Sequence, residues 1–334
     1  MRAVVLVGGF GTRLRPLTYT VPKPMLPVGH LPIIERLVAN LVRGGVTEVT
    51  LALGFKPEPF LDAFPDGTCA GARLLYAVEP EPLDTAGAIR FAAEATGIDE
   101  TFVVANGDVL TDLDVAALVA FHRDRGAEAT LHLIAVADPS AFGVVALDDD
   151  GRVERFVEKP APGTEPSNLV NAGTYVLEPG VIGRIPPGRK VSIERETFPA
   201  IVADRSLFAM ATSDYWIDTG KPELYLAANL DLLRGLRAHE RCEPVAAGAR
   251  VDPTASIVAA VVADGAAVDA EAVVERSVVL AGAHIGAGAV VRDSVVMGRI
   301  GRGSSIERCV IGAEAAVADG VHLVGVRHPD PDQA

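Results

Sequence analysis

The sequence predicts an α/β chain in two parts: a mostly parallel sheet with helices on both faces, then a short left-handed parallel β-helix. Three observations carry that reading. Over residues 1–232, short apolar runs alternate with longer stretches of helical spacing, as in sheets built from strand–helix repeats. From Val262 onward, branched apolar residues return every six positions with small residues between them. At 334 residues, the chain also exceeds what one hydrophobic core commonly serves.

In order, Ala3 to Val7 is an apolar run of buried-strand length. Ile33 to Val42 has helical spacing and stops at Gly44-Gly45. Val49 to Leu53 and Arg73 to Val78 read as strands, Thr85 to Thr96 as a helix, and Thr101 to Ala105 as a strand. Leu113 to Arg125 is expected to be helical and Thr130 to Val136 extended. Residues 233–250 read as a linker, an Arg-dotted helix end running into a Pro- and Ala-rich stretch. The six-residue phase then passes through Val262, Val268, Val274 and Leu280. It slips and recovers in Ile285 and Val291, in Ile300 and Ile306, and in Ile311, Val317 and Leu323. One hexad per face suits a triangular coil, and about four coils are expected within 251–328.

Composition narrows the partners. A net charge of −14 argues against nucleic acid or an anionic membrane surface. Phosphorylated small molecules stay open, because cations cluster in the first loop. Cys69, Cys242 and Cys309 are scattered without metal-ligand spacing, so reduced thiols are expected. The first apolar run is too short for a signal peptide, and none reaches bilayer-spanning length. A cytoplasmic protein is the expectation.

The chemistry gathers after the first strand. Gly8, Gly9 and Gly11 allow a turn whose backbone N–H groups can close on an anion, and Arg13, Arg15 and Lys23 follow. A Walker A loop is excluded: counted from Gly8, its second Gly and its Lys positions hold Arg13 and Leu14. A dinucleotide fingerprint counted from Gly9 fails at Leu14, and Val49 to Leu53 ends without an acidic residue for a ribose. Sites in such sheets lie beyond the carboxyl ends of the strands, where both this loop and Asn106-Gly107-Asp108 fall.

Gly8-Gly9-Phe10-Gly11-Thr12-Arg13-Leu14-Arg15-Pro16-Leu17-Thr18, followed by Pro22-Lys23-Pro24-Met25-Leu26-Pro27, resembles the signature of sugar-1-phosphate nucleotidyltransferases. Glu81 to Gly87, Phe156 to Pro160, Asn171-Ala172-Gly173, Ser192 to Pro199 and Tyr215 to Gly220 extend the likeness in the family's order. Within the family the chain is most similar to mannose-1-phosphate guanylyltransferases. The resemblance implies a Rossmann-like, mixed, mostly parallel nucleotidyltransferase domain over 1–232 and a hexapeptide-repeat domain over 251–328. It implies a sugar phosphate attacking the α-phosphorus of a nucleoside triphosphate, with Mg²⁺ and release of pyrophosphate. Since two polyanions must meet, such chemistry demands cations and a metal, not an activated side-chain nucleophile. GTP and mannose 1-phosphate are favoured; UTP, dTTP or ATP with glucose 1-phosphate is the alternative.

The family's roles fall on particular residues. Lys23 is expected near the α-phosphate and Arg13 near the leaving pyrophosphate, with Asp108 and Asp218 as the other catalytic residues and the Mg²⁺ ligands. Leu6, Gly8, Gly9, Gly11, Thr12 and Arg13 would meet the nucleotide, with Glu81, Thr85, Ala86, Gly87, Asn106 and Asp108. Glu158 would accept sugar hydroxyls and Lys159 would meet the sugar's phosphate, joined by Gly143, Asn171 and Gly173. Asp84 departs from the family, which commonly has Gly there. The Gln-containing segment of thymidylyl members is missing, and Val21-Pro22-Lys23-Pro24 replaces the Arg-Ala-Lys-Pro of adenylyl members.

Other readings are weaker. An idle nucleotide-sugar-binding subunit would lack a phosphate-contacting cation or metal carboxylate, and Arg13, Lys23, Asp108 and Asp218 are all present. His30, His122 and His132 have no partner at catalytic spacing. His284 and His322 raise acyl transfer in the repeat, which lacks an acyl-carrier insertion. The coil is expected to serve assembly, giving a homo-oligomer.

Overall fold

The structure, a computed structural model, describes residues 1–9, 11–54 and 57–331; Phe10 of the signature lies outside them. It resolves into two compact units, Met1–Gly9 with Ile34–Trp216, and Phe10–Ile33 with Ile217–Ala334.

The first unit is built on one mixed sheet. Its strand order is Val153–Glu158, Gly143–Leu147, Leu169–Leu177, Phe102–Asn106, Arg2–Leu6, Glu48–Leu53, Ala72–Val78 and Thr68–Cys69. Arg2–Leu6 lies parallel to both Glu48–Leu53 and Phe102–Asn106, and Glu48–Leu53 lies parallel to Ala72–Val78. These runs are rich in Val, Leu and Ala because both faces are covered. Leu169–Leu177 enters antiparallel to Phe102–Asn106 and also pairs with Ala129–Ala135, which is parallel to Leu207–Thr212. The antiparallel half begins with the hairpin of Gly143–Leu147 and Val153–Glu158. At its turn Asp148 Oδ1 accepts the N–H groups of Asp150 and Arg152.

Helix Asp84–Thr96 packs Ala86, Ile89, Ala92 and Ala93 into the core beside Val4, Val104 and Phe102. Its alanines let helix and sheet approach closely. The helix stops at Gly97, whose N–H meets the carbonyls of Ala93 and Glu94 in a left-handed cap. Helix Val115–Arg125 starts at Asp114, whose side chain accepts the Ala117 N–H. These elements agree with the sequence-based boundaries to within a residue or two, as element ends allow.

In the second unit the repeat winds into a left-handed parallel β-helix with three sheets of five strands each. One face stacks Val251, Val268, Ile285, Ile300 and Val317. The next stacks Ile257, Val274, Val291, Ile306 and Leu323. Two expectations change here. Five strands per face replace the expected four coils. The third face stacks Val279, not Leu280, over Val262, followed by Val296 and Ile311. One edge of the triangle is a residue shorter than the others, so a strict six-count arrives one position late.

Two ladders stiffen the coil. At one corner Ala259, Arg276, Asp293 and Arg308 all take positive φ, and the Arg276 guanidinium reaches Asp293 Oδ1 at 2.7 Å. Inside, Ser277 Oγ accepts the Ser294 N–H and Ser294 Oγ accepts the Cys309 N–H. Helix Pro222–Arg234 secures the incoming loop in the same unit. Asn229 Oδ1 accepts the Gly29 N–H at 2.7 Å, and the Tyr225 hydroxyl donates to the Pro27 carbonyl. Among the described residues no helix is long and apolar enough to cross a membrane.

Candidate functional site

The signature loop is a chain of tight turns. Gly11 takes φ +60° ahead of the short turn Thr12–Leu14, and its carbonyl accepts both the Leu14 N–H and the Thr18 hydroxyl. A Cβ at Gly11 would stand 3.0 Å from the Thr18 side chain, so glycine is required there for conformation and space alike. Leu14 and Leu17 are buried, which leaves Thr12 and Arg13 at the surface.

Lys23 is only 6% exposed, and its Nζ lies 3.4 Å from Asp218 Oδ1. The same carboxylate oxygen accepts the Gly220 N–H at 2.8 Å. Arg13 Nη2 lies 2.8 Å from where a Cβ of Gly220 would stand. Arg13, Lys23 and Asp218 therefore meet around one turn. Among the described residues Asp218 Oδ2 takes no hydrogen bond or ion pair. Asp108 belongs to the first unit, half-buried in the turn after Phe102–Asn106.

The first unit holds the remaining predicted residues. Gly107 N–H donates to the Leu6 carbonyl, and Gly8 packs so tightly on Gly54 that a Cβ would meet its nitrogen at 3.1 Å. Among the described residues no atom lies within 4 Å of where a Cβ of Gly9 would stand. Gly8 also faces Glu79, whose Oε1 is 3.8 Å from the same Cβ position. Glu79 is 8% exposed, and its Oε2 accepts the Leu83 N–H at 2.8 Å. Burial pushes its carboxyl pKa up, with the Leu83 N–H opposing. Sequence reasoning passed over it because it sits in an acidic, Pro-rich run beside Glu81, which is exposed.

Asp84 is exposed, takes φ +62° and accepts the Thr85 N–H. The Thr85 hydroxyl donates to Glu194 Oε2 and accepts the Ile193 N–H. Ala86 and Gly87 direct their N–H groups to the Val191 carbonyl. These donors thus serve the 191–194 segment, and what the stretch offers a ligand is its contour.

On the sugar side, Gly143 lies opposite Glu158 in the hairpin, and a Cβ there would stand 3.0 Å from Glu158 Oε2. Lys159 Nζ is 3.4 Å from Glu158 Oε1, with most of its side chain in solvent. Asn171 Oδ1 accepts the Gly173 N–H, and its amide donates to the Tyr175 hydroxyl. Gly173, at φ +78°, leaves room for Asn106, whose amide lies 2.7 Å from the missing Cβ. Burial first, and then the like charge of Glu194, raises the Glu158 pKa. Glu194 Oε2 also accepts the Ser192 hydroxyl, so it joins Thr85 to Ser192 while its charge bears on Glu158. Glu194 lies in the Ser192 to Pro199 stretch, which carries part of the family resemblance but gives this residue no role.

His122 bridges Thr130 and Glu178, and His132 bonds Thr212; both are buried, and burial lowers their pKa values, that of His132 to about 4. His284 is tied to Asp269 on the coil at 2.8 Å. The cysteines are free thiols. Among the described residues no group of three or more His, Cys, Asp or Glu is disposed to hold a metal.

Comparison with known proteins gives a consistent picture. The family model for nucleotidyl transferase matches residues 2–235, and one for a GlmU-like C-terminal hexapeptide matches 246–333. A mannose-1-phosphate guanylyltransferase of Mycobacterium tuberculosis is 44% identical over 78% of this chain and 74% of its own. A mannose-1-phosphate guanyltransferase of Schizosaccharomyces pombe is 40% identical, over 77% and 73%. The crystal structure of HddC from Yersinia pseudotuberculosis complexed with GMP-PN superposes with TM-score 0.58 at 30% identity, covering 68% of this chain and 97% of that one.

Proposed function

Because the chain belongs to the nucleotidyl transferase family, we propose that it transfers the guanylyl group of GTP to mannose 1-phosphate, giving GDP-mannose and pyrophosphate. An oxygen of the sugar phosphate attacks the α-phosphorus, the bond to the β-phosphate oxygen breaks, and its electron pair leaves on pyrophosphate. Lys23 offsets charge at the α-phosphate and Arg13 receives the departing pyrophosphate. The observation that supports transfer is the meeting of Arg13, Lys23 and Asp218 around Gly220. Asp108 and Asp218 are the proposed Mg²⁺ ligands. The open Oδ2 of Asp218 fits an ion that uses one or two carboxylates plus phosphate oxygens. When bound, such an ion neutralises phosphate charge. Glu158, Asn171 and Gly173 are proposed to hold the sugar hydroxyls, and Lys159 the sugar's phosphate.

Glu79 supports the choice of base. Its Oε1 faces the Gly8 turn while its Oε2 is held by the Leu83 N–H. A carboxylate accepts both N–H groups on one edge of guanine, whereas adenine presents an acceptor beside its amine. The relatives named as guanylyltransferases and the GMP-PN complex of HddC agree with that choice. Stacked coils of this kind favour self-association, and assembly of copies of the chain is part of the proposal.

The test is pyrophosphate release across GTP, ITP, ATP, UTP and dTTP, each with mannose 1-phosphate and glucose 1-phosphate. GTP with mannose 1-phosphate should give the highest kcat/KM. Glu79→Gln should lower the GTP-over-ITP preference by about tenfold, since ITP lacks the 2-amino group. No release with any pair would overturn the proposal.

A further inference from the structure

We infer that the last coils of the β-helix set the position of Arg13, making the coil part of the triphosphate-handling machinery. Two contacts within the second unit carry this. Gly312 follows the strand Val310–Ile311, and a Cβ there would stand 2.9 Å from Pro16 Cβ and 3.2 Å from Pro16 Cγ. Pro16 therefore lies on the backbone of the coil itself. Arg327, in the closing strand Arg327–His328 and paired with Val310, donates from Nη1 to the Arg13 carbonyl at 3.1 Å. The coil thus grips Arg13 and Pro16 from one side. The Arg13 guanidinium lies beside Gly220.

This arrangement has a physical use. Arg13 is exposed, and a long exposed cation costs entropy when a ligand fixes it. Anchoring its backbone leaves only the side chain to order. A displacement of about 1 Å at such a group can cost about a hundredfold in rate. A methyl at 312 would push Pro16 away, and losing the Arg327 guanidinium would release the Arg13 carbonyl. Arg327 is a positioning residue, since it acts through Arg13.

The inference rests on the reading of Arg13 as a triphosphate contact, and its test separates the two. In the full chain, Gly312→Ala and Arg327→Ala should each raise the triphosphate KM about five- to twentyfold, with under about twofold change in the sugar-phosphate KM. Arg327→Lys should recover part of the loss, and Glu314→Ala, exposed on the same coil, should change neither constant. Adding Arg327→Ala to Arg13→Ala should cost nothing further. An active wild type whose Gly312→Ala and Arg327→Ala variants keep both constants, or lose both equally as melting temperature falls, overturns the inference. Equilibrium titration with a non-hydrolysable GTP analogue must show the same shift in Kd. A wild type without turnover would sink the transfer reading, and that titration would still decide this one.

Discussion

Lys23 Nζ stands 3.4 Å from Asp218 Oδ1 across 195 positions of sequence, joining the Pro-Lys-Pro segment to the Asp-Thr-Gly turn. A buried ammonium needs a counter-charge, and a carboxylate beside it can exchange that partner for substrate phosphate or a divalent ion. Lys23→Met should therefore lower kcat/KM for pyrophosphate release by about 10²–10³, with Lys23→Arg a poor substitute for a compact ammonium. Asp218→Asn should raise the Mg²⁺ concentration for half-maximal activity about tenfold or more. A Mg²⁺ titration of the variants measures both, and activity within twofold of wild type would contradict the roles.

The Glu158 pKa is raised from the ordinary 4.5 by burial and by Glu194. For a carboxyl shifted upward, the stabilising contribution is complete below the unfolded value and is lost as pH rises through the folded one. Glu158→Gln should then stabilise the protein at neutral pH, with the gain fading as pH falls toward 4.5. Glu194→Gln removes the like charge and brings the Glu158 pKa down. The acid limb of the sugar-phosphate KM profile should move to lower pH with it. An unmoved limb would show that Glu158 does not meet the sugar in its ionised form.

Ser294 is 1% exposed, and its hydroxyl is the acceptor for the Cys309 N–H. Ser294→Ala leaves that buried donor unpaired and should cost about 1–3 kcal/mol. A urea midpoint shifted down at constant slope would register the loss. An unchanged midpoint would mean that the ladder contributes nothing.

How legible all this was depended on whether the signal was contiguous. The strands and the signature loop are local patterns, so Gly11 could be read as a loop glycine before its φ of +60° was known. Thr85 and Glu194 meet across 109 positions, and nothing in either neighbourhood announces the pairing. Glu79 stands in an acidic, Pro-rich run with no motif of its own; it is buried directly after strand Ala72–Val78, where its Oε2 accepts the Leu83 N–H. Leu280 was expected on the inner stack because a six-count ignores the shorter third edge, and Val279 takes the place. The expected coil number falls short because the six-residue phase starts at Val262, leaving out Val251 and Ile257 at the head of two stacks, and because the closing strand Arg327–His328 carries no branched apolar residue.

The chain passes between its compact units after Gly9, after Ile33 and after Trp216. No single cut can separate them. A truncation that removed the coil would strip the Arg13–Pro16 stretch of Gly312 and Arg327, although that stretch lies near the opposite terminus. Grafting such a coil between relatives would accordingly require carrying the early segment with it.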